Sequence, residues 1–258
     1  MSGSVRFDRA AEFYDASRAI TPDAMSRTIE LLVGELSGRG PALEVGVGTG
    51  LLALPLHERG LPLVGLDLSA PMVGKLVQKA GGDRPFPLVL GDATRMPFQD
   101  DSFGAAYLRW VLHLIPDWRV LVAECVRVVH PRGVFVANLG AYGGPHRDIQ
   151  MRFGELTGIS TVPVGLDWTA HEELDAELAE HGAAVRVLPA PFESFEERLE
   201  EFIQGIEEDR YSWTWGVPDD VRLLAVDEIR PWAREQFGPL DVVRESSIVA
   251  TWRAYDLP

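Results

Sequence analysis

The chain has 258 residues, 46% of them hydrophobic, and a formal net charge of −15. That length and apolar share suit one large α/β domain with an elaboration, or one domain and a small second one. So acidic a protein is poorly built to grip nucleic-acid phosphates, which needs clustered Lys and Arg. The single cysteine, Cys125, forbids an internal disulfide and suits a reducing compartment. It falls in an apolar helical pattern with Leu121, Val122, Val126 and Val129, so it reads as a small buried hydrophobe. The N-terminus lacks an apolar secretory core and no run approaches membrane-spanning length, so the expectation is a soluble cytoplasmic protein with no membrane partner.

In chain order, residues 7–37 read as helical with one break at Thr21-Pro22. A first strand over 42–47 leads into a helix over 50–59, and a second strand covers 62–68. Ser69 caps the next helix, with Pro71 in the first turn, where a missing N–H does no harm. A third strand, 88–90, ends at Gly91-Asp92-Ala93. A fourth over 103–111 and a helix over 117–129 precede a fifth strand at 133–138. Apolar strands alternating with helices signal a parallel sheet covered on both faces, and right-handed crossovers make it a doubly wound α/β fold. Residues 141–168 hold many Gly and Pro without a clear period and read as a long covering loop with short helices. A helix over 171–181 and a strand over 184–188 follow. Ser194 and Glu197 read as a capping box before an apolar helix face formed by Phe195, Leu199, Phe202, Ile203 and Ile206. A further helix spans 219–237, with Pro231 expected to kink it, and a final strand spans 246–255.

The densest signal is the run from Ala42 to Gly50, an apolar strand entering a turn with Gly46, Gly48 and Gly50. Glycines serve where the chain turns with positive φ or where a ligand must touch backbone, and a helix beginning just beyond would add unpaired N–H groups. Gly48 to Ala53 satisfies the G-x-G-x-x-A form of the dinucleotide fingerprint. Asp67, ending the second strand, suits a pair of ribose hydroxyls. At this point NAD, FAD and S-adenosylmethionine all remain open. Two features divide them. Glu44 lies inside a strand that is wholly apolar in most dinucleotide sites, and its carboxylate can meet an ammonium group. Asp92 beside the Ala93 N–H can pair with an adenine edge. Each has a plainer reading, Glu44 as a satisfied buried acid and Asp92 as a turn former.

With these residues in view, the chain resembles the class I S-adenosylmethionine-dependent methyltransferases, in the small-molecule branch related to ubiquinone-biosynthesis enzymes. The matching segments are 43–50, 64–72, Gly91-Asp92-Ala93 with Met96-Pro97-Phe98, 110–114 and 128–134, and Phe13-Tyr14-Asp15 also looks like that branch. A departure is Arg132, where a second glycine is usual. The resemblance covers about residues 7–140. It implies a mostly parallel seven-stranded sheet with helices on both faces, the last strand antiparallel, and a helical lid. It divides the chain into N-terminal helices capping the cofactor site (1–40), an S-adenosylmethionine-binding core (41–140), and lid segments with the final strands (141–258).

It also implies residue roles. Gly46, Gly48 and Gly50 would let the backbone approach the methionine moiety, with Glu44 near its ammonium. Asp67 would hold both ribose hydroxyls, Leu68 and Met72 would pack on the adenine, and Asp92 with Ala93 would pair with its edge. Arg109 and Tyr14 would complete the pocket, although Tyr14 could equally be a packing aromatic. His113, just past the fourth strand, is the candidate catalytic base, with a structural histidine bonded to backbone as the competing reading. The six histidines show no paired metal-ligand spacing, so no metal is expected. The fourth strand lacks the Pro-Pro-aromatic continuation of enzymes that methylate amide-type or adenine nitrogens. No proline precedes Cys125, as one would in a cytosine C5 nucleophile. The expected partner is therefore a small-molecule acceptor, apolar or aromatic, under a lid holding Tyr142, Phe153, Trp168, Phe195, Phe202, Trp213 and Trp215; Phe195 and Phe202 read better as the lid's own core. Two other functions use the same motifs, an NAD(P)-dependent oxidoreductase and a non-catalytic S-adenosylmethionine-binding module. Oligomeric state has no signature in the sequence.

Overall fold

The computed structural model describes residues 3–17, 21–189 and 193–258. A 3-10 turn at Asp8–Ala10 and a one-turn helix α1 (Tyr14–Ser17) precede α2 (Pro22–Leu36), whose N-cap Thr21 accepts the Ala24 N–H. The core then alternates β1 (Ala42–Val45), α3 (Ala53–Glu58), β2 (Leu63–Asp67), α4 (Ala70–Lys79), β3 (Leu88–Leu90), β4 (Phe103–Arg109), α5 (Trp118–Val128) and β5 (Val129–Tyr142). Beyond it come α6 (Pro145–Thr157), α7 (His171–Glu180), β6 (Ala184–Leu188), β7 (Glu193–Glu197), α8 (Leu199–Glu207), α9 (Asp219–Phe237) and β8 (Arg244–Asp256).

The chain forms two compact units. The first holds residues 1–140, 164–191 and 250–258, and the second 141–163 and 192–249. The first unit's sheet runs β3-β2-β1-β4-β5-β8-β6. Strands β3, β2, β1, β4 and β5 pair in parallel, and β8 lies antiparallel to β6. This is the doubly wound, mostly parallel seven-stranded sheet with an antiparallel last strand that the sequence led us to expect. Alternation along each strand sends neighbours to opposite faces. Leu43, Val45, Ala106 and Leu108 pack with Leu121, Val122 and Cys125 of α5 and with Leu174 and Leu178 of α7. Ala42, Ala105 and Tyr107 pack with Leu32 and Leu36 of α2, Leu56 of α3 and Leu76 of α4 on the other face. Cys125 is fully buried, and burial pushes its thiol pKa up, as a small hydrophobe rather than a nucleophile requires.

The second unit has a core of its own, built from Ile149 and Phe153 of α6, Ile203 and Ile206 of α8, and Val226 and Ile229 of α9. In it β7 pairs antiparallel with the first half of β8.

Four expectations need correction. Residues 7–17 form a 3-10 turn and a single helical turn, not a continuous helix. The covering loop contains a thirteen-residue helix, α6, whose Pro145 sits in the first turn and whose Gly158 ends it at φ 68°. The proposed capping box fails: Ser194 to Glu197 belong to β7, and α8 begins at Leu199 after Arg198, which makes no side-chain cap. Pairing of residues 193–197 with 244–248 of β8 overrides the capping pattern. Finally, Pro131-Arg132-Gly133 lies within one long strand, at a register break against β4. Arg132 sits there at φ 65°, the left-handed region that favours glycine, which accounts for the glycine usual at that position.

Candidate functional site

In open parallel sheets, ligands sit beyond the carboxyl ends of the strands. At that edge the chain leaves β1 through the three-glycine turn. Gly46, Gly48 and Gly50 hold φ of 74°, 52° and 77°. A Cβ on Gly46 would stand 2.6 Å from Val111 Cγ2, and one on Gly50 would stand 2.8 Å from Leu76 Cγ. These two glycines are thus fixed by backbone conformation and by space together. The helix behind the turn starts later and is shorter than expected. It spans six residues from Ala53, with no side-chain cap, and Pro55 contributes no N–H to its first turn. Its N-terminus carries no part of the site.

The turn is folded onto the end of β2. Gly46 and Val47 donate to the Leu66 carbonyl at 2.8 and 3.0 Å. Asp67 reaches back across the same gap, with one carboxylate oxygen accepting from the Gly48 N–H at 2.7 Å and the other from the Ser69 N–H at 2.8 Å. Burial raises the Asp67 pKa, and those N–H groups hold the rise back. The Leu68 N–H also hydrogen-bonds this carboxylate. Ser69 caps α4 as expected, accepting from Met72 N–H at 3.3 Å. Met72 is buried beneath the turn, its Cε lying 3.3 Å from where a Gly48 Cβ would be.

Glu44 is 5% exposed. The Tyr107 hydroxyl, directly across from it in the β1–β4 register, donates to its Oε2 at 2.7 Å. Burial pushes the Glu44 pKa up to about 8; the Tyr107 bond and the Arg109 charge oppose that rise, and the Asp67 charge adds to it. Arg109 ends β4 with its guanidinium 3.9 Å from the centre of the Trp110 ring. Asp92 follows β3, anchored where Gly91 N–H donates to the Asp67 carbonyl at 2.9 Å. Its Oδ1 accepts from the Thr94 N–H and hydroxyl at 2.9 and 2.8 Å, which makes it a turn former as well. Leu68 and Ala93 are half-buried beside these carboxylates.

The N-terminal segment is tied to the same edge. Asp15 accepts from the buried Thr49 hydroxyl of the glycine turn at 2.5 Å and pairs with Lys79 at 2.9 Å. Glu12 pairs with Lys75 at 2.6 Å, and Arg6 donates to the Leu68 carbonyl at 3.2 Å. Tyr14 stands edge-on to Phe7, 5.8 Å between centres. His113 lies in the 3-10 turn Leu112–Leu114; its carbonyl accepts from the Gly165 N–H at 3.1 Å, and its ring lies 5.8 Å from Trp168.

Sequence reasoning missed three supporting groups. Tyr107 was one more apolar residue in a strand, and only the register with Glu44 reveals its role. Glu124 accepts from Met96 N–H at 2.7 Å, and Arg127 donates to the Phe98 carbonyl at 2.8 Å, so one turn of α5 holds the loop after β3. The Glu-x-x-Arg spacing on an otherwise apolar helix was the available signal. Of the lid aromatics, Phe153, Phe202 and Trp213 pack into the second unit's own core. Trp215 donates to the Asp209 carbonyl at 3.0 Å, Phe195 is half-buried on β7, and the side chain of Tyr142 lies outside the described residues.

Residues 43–137 match the family model described as a methyltransferase domain. Over the matched residues the chain is similar to S-adenosylmethionine-dependent methyltransferases. Among its relatives, the demethylmenaquinone methyltransferase of Renibacterium salmoninarum is 33% identical over 152 residues, covering 57% of this chain and 63% of that protein. That of Mycolicibacterium paratuberculosis is 32% identical over 133 residues, covering 50% and 56%. The chain thus spans about three fifths of the length of the curated relatives it matches. By fold it is similar to the YcgJ protein of Bacillus subtilis, with TM-score 0.59 at 19% identity over 92% of this chain and 99% of that one. It is also similar to the [4+2]-cyclase SpnF, with TM-score 0.57 at 18% identity over 93% and 84%. S-adenosylmethionine is the cofactor of such methyltransferases, and the site fits it: a glycine turn packed too tightly for side chains at Gly46 and Gly50, a carboxylate at the end of the next strand, and a buried acid. Among the described residues no helix is long and apolar enough to cross a membrane.

Proposed function

We propose that the chain is an S-adenosylmethionine-dependent methyltransferase acting on a small apolar acceptor of aromatic or quinol type, in the cytoplasm. The observation that carries this reading is the set of three acids, Glu44, Asp67 and Asp92, on the carboxyl ends of adjacent parallel strands around a glycine turn closed to side chains. The names of the curated relatives support a quinone-like acceptor.

In this reading Glu44 faces the cofactor's ammonium. Asp67, held in place by Gly48 and Ser69, accepts from the ribose hydroxyls. Leu68 and Met72 pack on the adenine, whose edge Asp92 and the Ala93 N–H recognise. Arg109 and Tyr14 complete the pocket, and Asp15 fixes the N-terminal segment to Thr49 beside it. The cofactor supplies a methyl on a sulfonium, whose leaving group is already neutral. The protein's share is in-line alignment and exclusion of water. Where the acceptor arrives protonated, His113 takes the proton.

Transfer of a labelled methyl group to a panel of acceptors tests the reading. Apolar phenols and quinols are expected to be labelled and highly charged acceptors not. Turnover of charged acceptors alone would overturn the proposed acceptor class, and no transfer to any acceptor despite tight cofactor binding would leave the binding-module reading.

A further inference from the structure

Glu44 occupies an unusual place for an acid. It sits within a buried strand, and the fully buried Tyr107 donates a hydrogen bond to its carboxyl. The titratable and charged groups facing it are Tyr107 and Arg109 on β4 and Asp67 on β2. The Arg109 guanidinium lies over the Trp110 ring rather than in an ion pair with Glu44. Tyr107, its own pKa raised by burial and by Glu44, stays a hydrogen-bond donor throughout the accessible range. A buried carboxyl so placed holds its proton until a cation arrives.

We propose that Glu44 rests as a neutral acid and releases its proton to solvent on binding the cofactor's ammonium, with Tyr107 as the residue that positions the carboxyl for the exchange. The proposal rests on the methyltransferase reading and goes beyond it by coupling cofactor affinity to pH. The balance is simple: the Glu44 O–H bond breaks, the proton leaves to water, and a carboxylate faces an ammonium. The hydroxyl of Tyr107 remains bonded to Oε2, leaving Oε1 for the new partner.

The sign follows from linkage. Below pH 8 the free protein carries a protonated Glu44, and binding a cation lowers that group's pKa, so affinity rises with pH at up to about tenfold per unit. An α-amino group loses its own proton near pH 7.7–8.0, so affinity falls again above about pH 8. Cofactor binding is thus bell-shaped in pH with no second ionisable ligand required.

Isothermal titration of the whole chain with S-adenosylhomocysteine at pH 6.5, in two buffers of different ionisation enthalpy, reads the proton count directly. The wild-type protein is expected to release close to one proton per ligand. Methylthioadenosine, which lacks the amino-acid portion, is expected to release none, and Glu44→Gln none with either ligand. Tyr107→Phe removes a bond that favours the carboxylate. It is expected to bind S-adenosylhomocysteine about tenfold more weakly at pH 6.5 and to shift the rising limb to higher pH; a merely structural tyrosine would weaken binding without moving that limb. Tight S-adenosylhomocysteine binding with no proton release would overturn the proposal and leave the methyltransferase reading intact. Absence of binding at any pH would overturn both.

Discussion

The two units differ in how their acids are placed. In the second, each acts on another part of the same unit: His146 bonds Glu197 at 2.7 Å, Thr214 donates to Asp209 at 2.6 Å, and Arg222 pairs with Asp219 at 2.7 Å. In the first, the buried Glu44 and the half-buried Asp67 lie toward the carboxyl ends of adjacent parallel strands, Glu44 bonded by Tyr107 and Asp67 by backbone N–H groups. A carboxylate that only stabilises a fold is matched from within, because an unmatched buried charge is expensive. The second unit thus has a packed core of its own, and the proposed cofactor residues all lie in the first.

The sharpest way to break this contrast is Phe153→Ala. It empties a fully buried ring site in the second unit and should cost about 3–5 kcal/mol in urea unfolding. Affinity for S-adenosylhomocysteine should stay within about twofold; a large loss would show that the second unit carries binding. Gly46→Ala adds a methyl 2.6 Å from Val111 at φ 74° and should cost at least about 2 kcal/mol of stability. Unlike Phe153→Ala, it should also abolish measurable cofactor binding by calorimetry.

Asp67→Asn keeps an oxygen for only one of the two backbone donors, turns an NH2 toward the other and loses the charge; it should weaken cofactor binding about 10–100-fold and also lower stability by about 1–3 kcal/mol. Glu44 sharpens the contrast through pH. Its folded pKa, about 8, lies above the ordinary 4.5, so the folded state alone keeps the proton between those values. Stability from this group therefore falls as pH rises across that window. Glu44→Gln should flatten the fall in denaturation midpoints measured at pH 5, 6.5 and 8 without cofactor. Ser69→Ala, loss of one helix cap, should cost only about 1 kcal/mol.

Legibility in the sequence divides along the same line. Strands β2, β3 and β4, the cap at Ser69 and the position of the acids near strand ends were readable because local pattern and tertiary structure agree there. The second unit was harder. Its α6 carries Gly154 and a polar majority, and its apolar stripe of Ile149 and Phe153 is narrow. Residues 193–197 hold a helix-capping pattern that pairing with β8 overrides. Within the site, Tyr107 could not be read, because its meaning comes from register with Glu44 across two strands distant in sequence. Fold likeness adds a warning, since a [4+2]-cyclase shares this architecture; activity has to be argued from strand-end groups, not from the sheet.

The most direct test is a calorimetric titration of the unmodified chain with S-adenosylhomocysteine and, separately, with NADH. The account predicts saturable one-to-one binding of the sulfur nucleoside, lost in Asp67→Ala, and no binding of NADH. Tight NADH binding with no response to S-adenosylhomocysteine would contradict it.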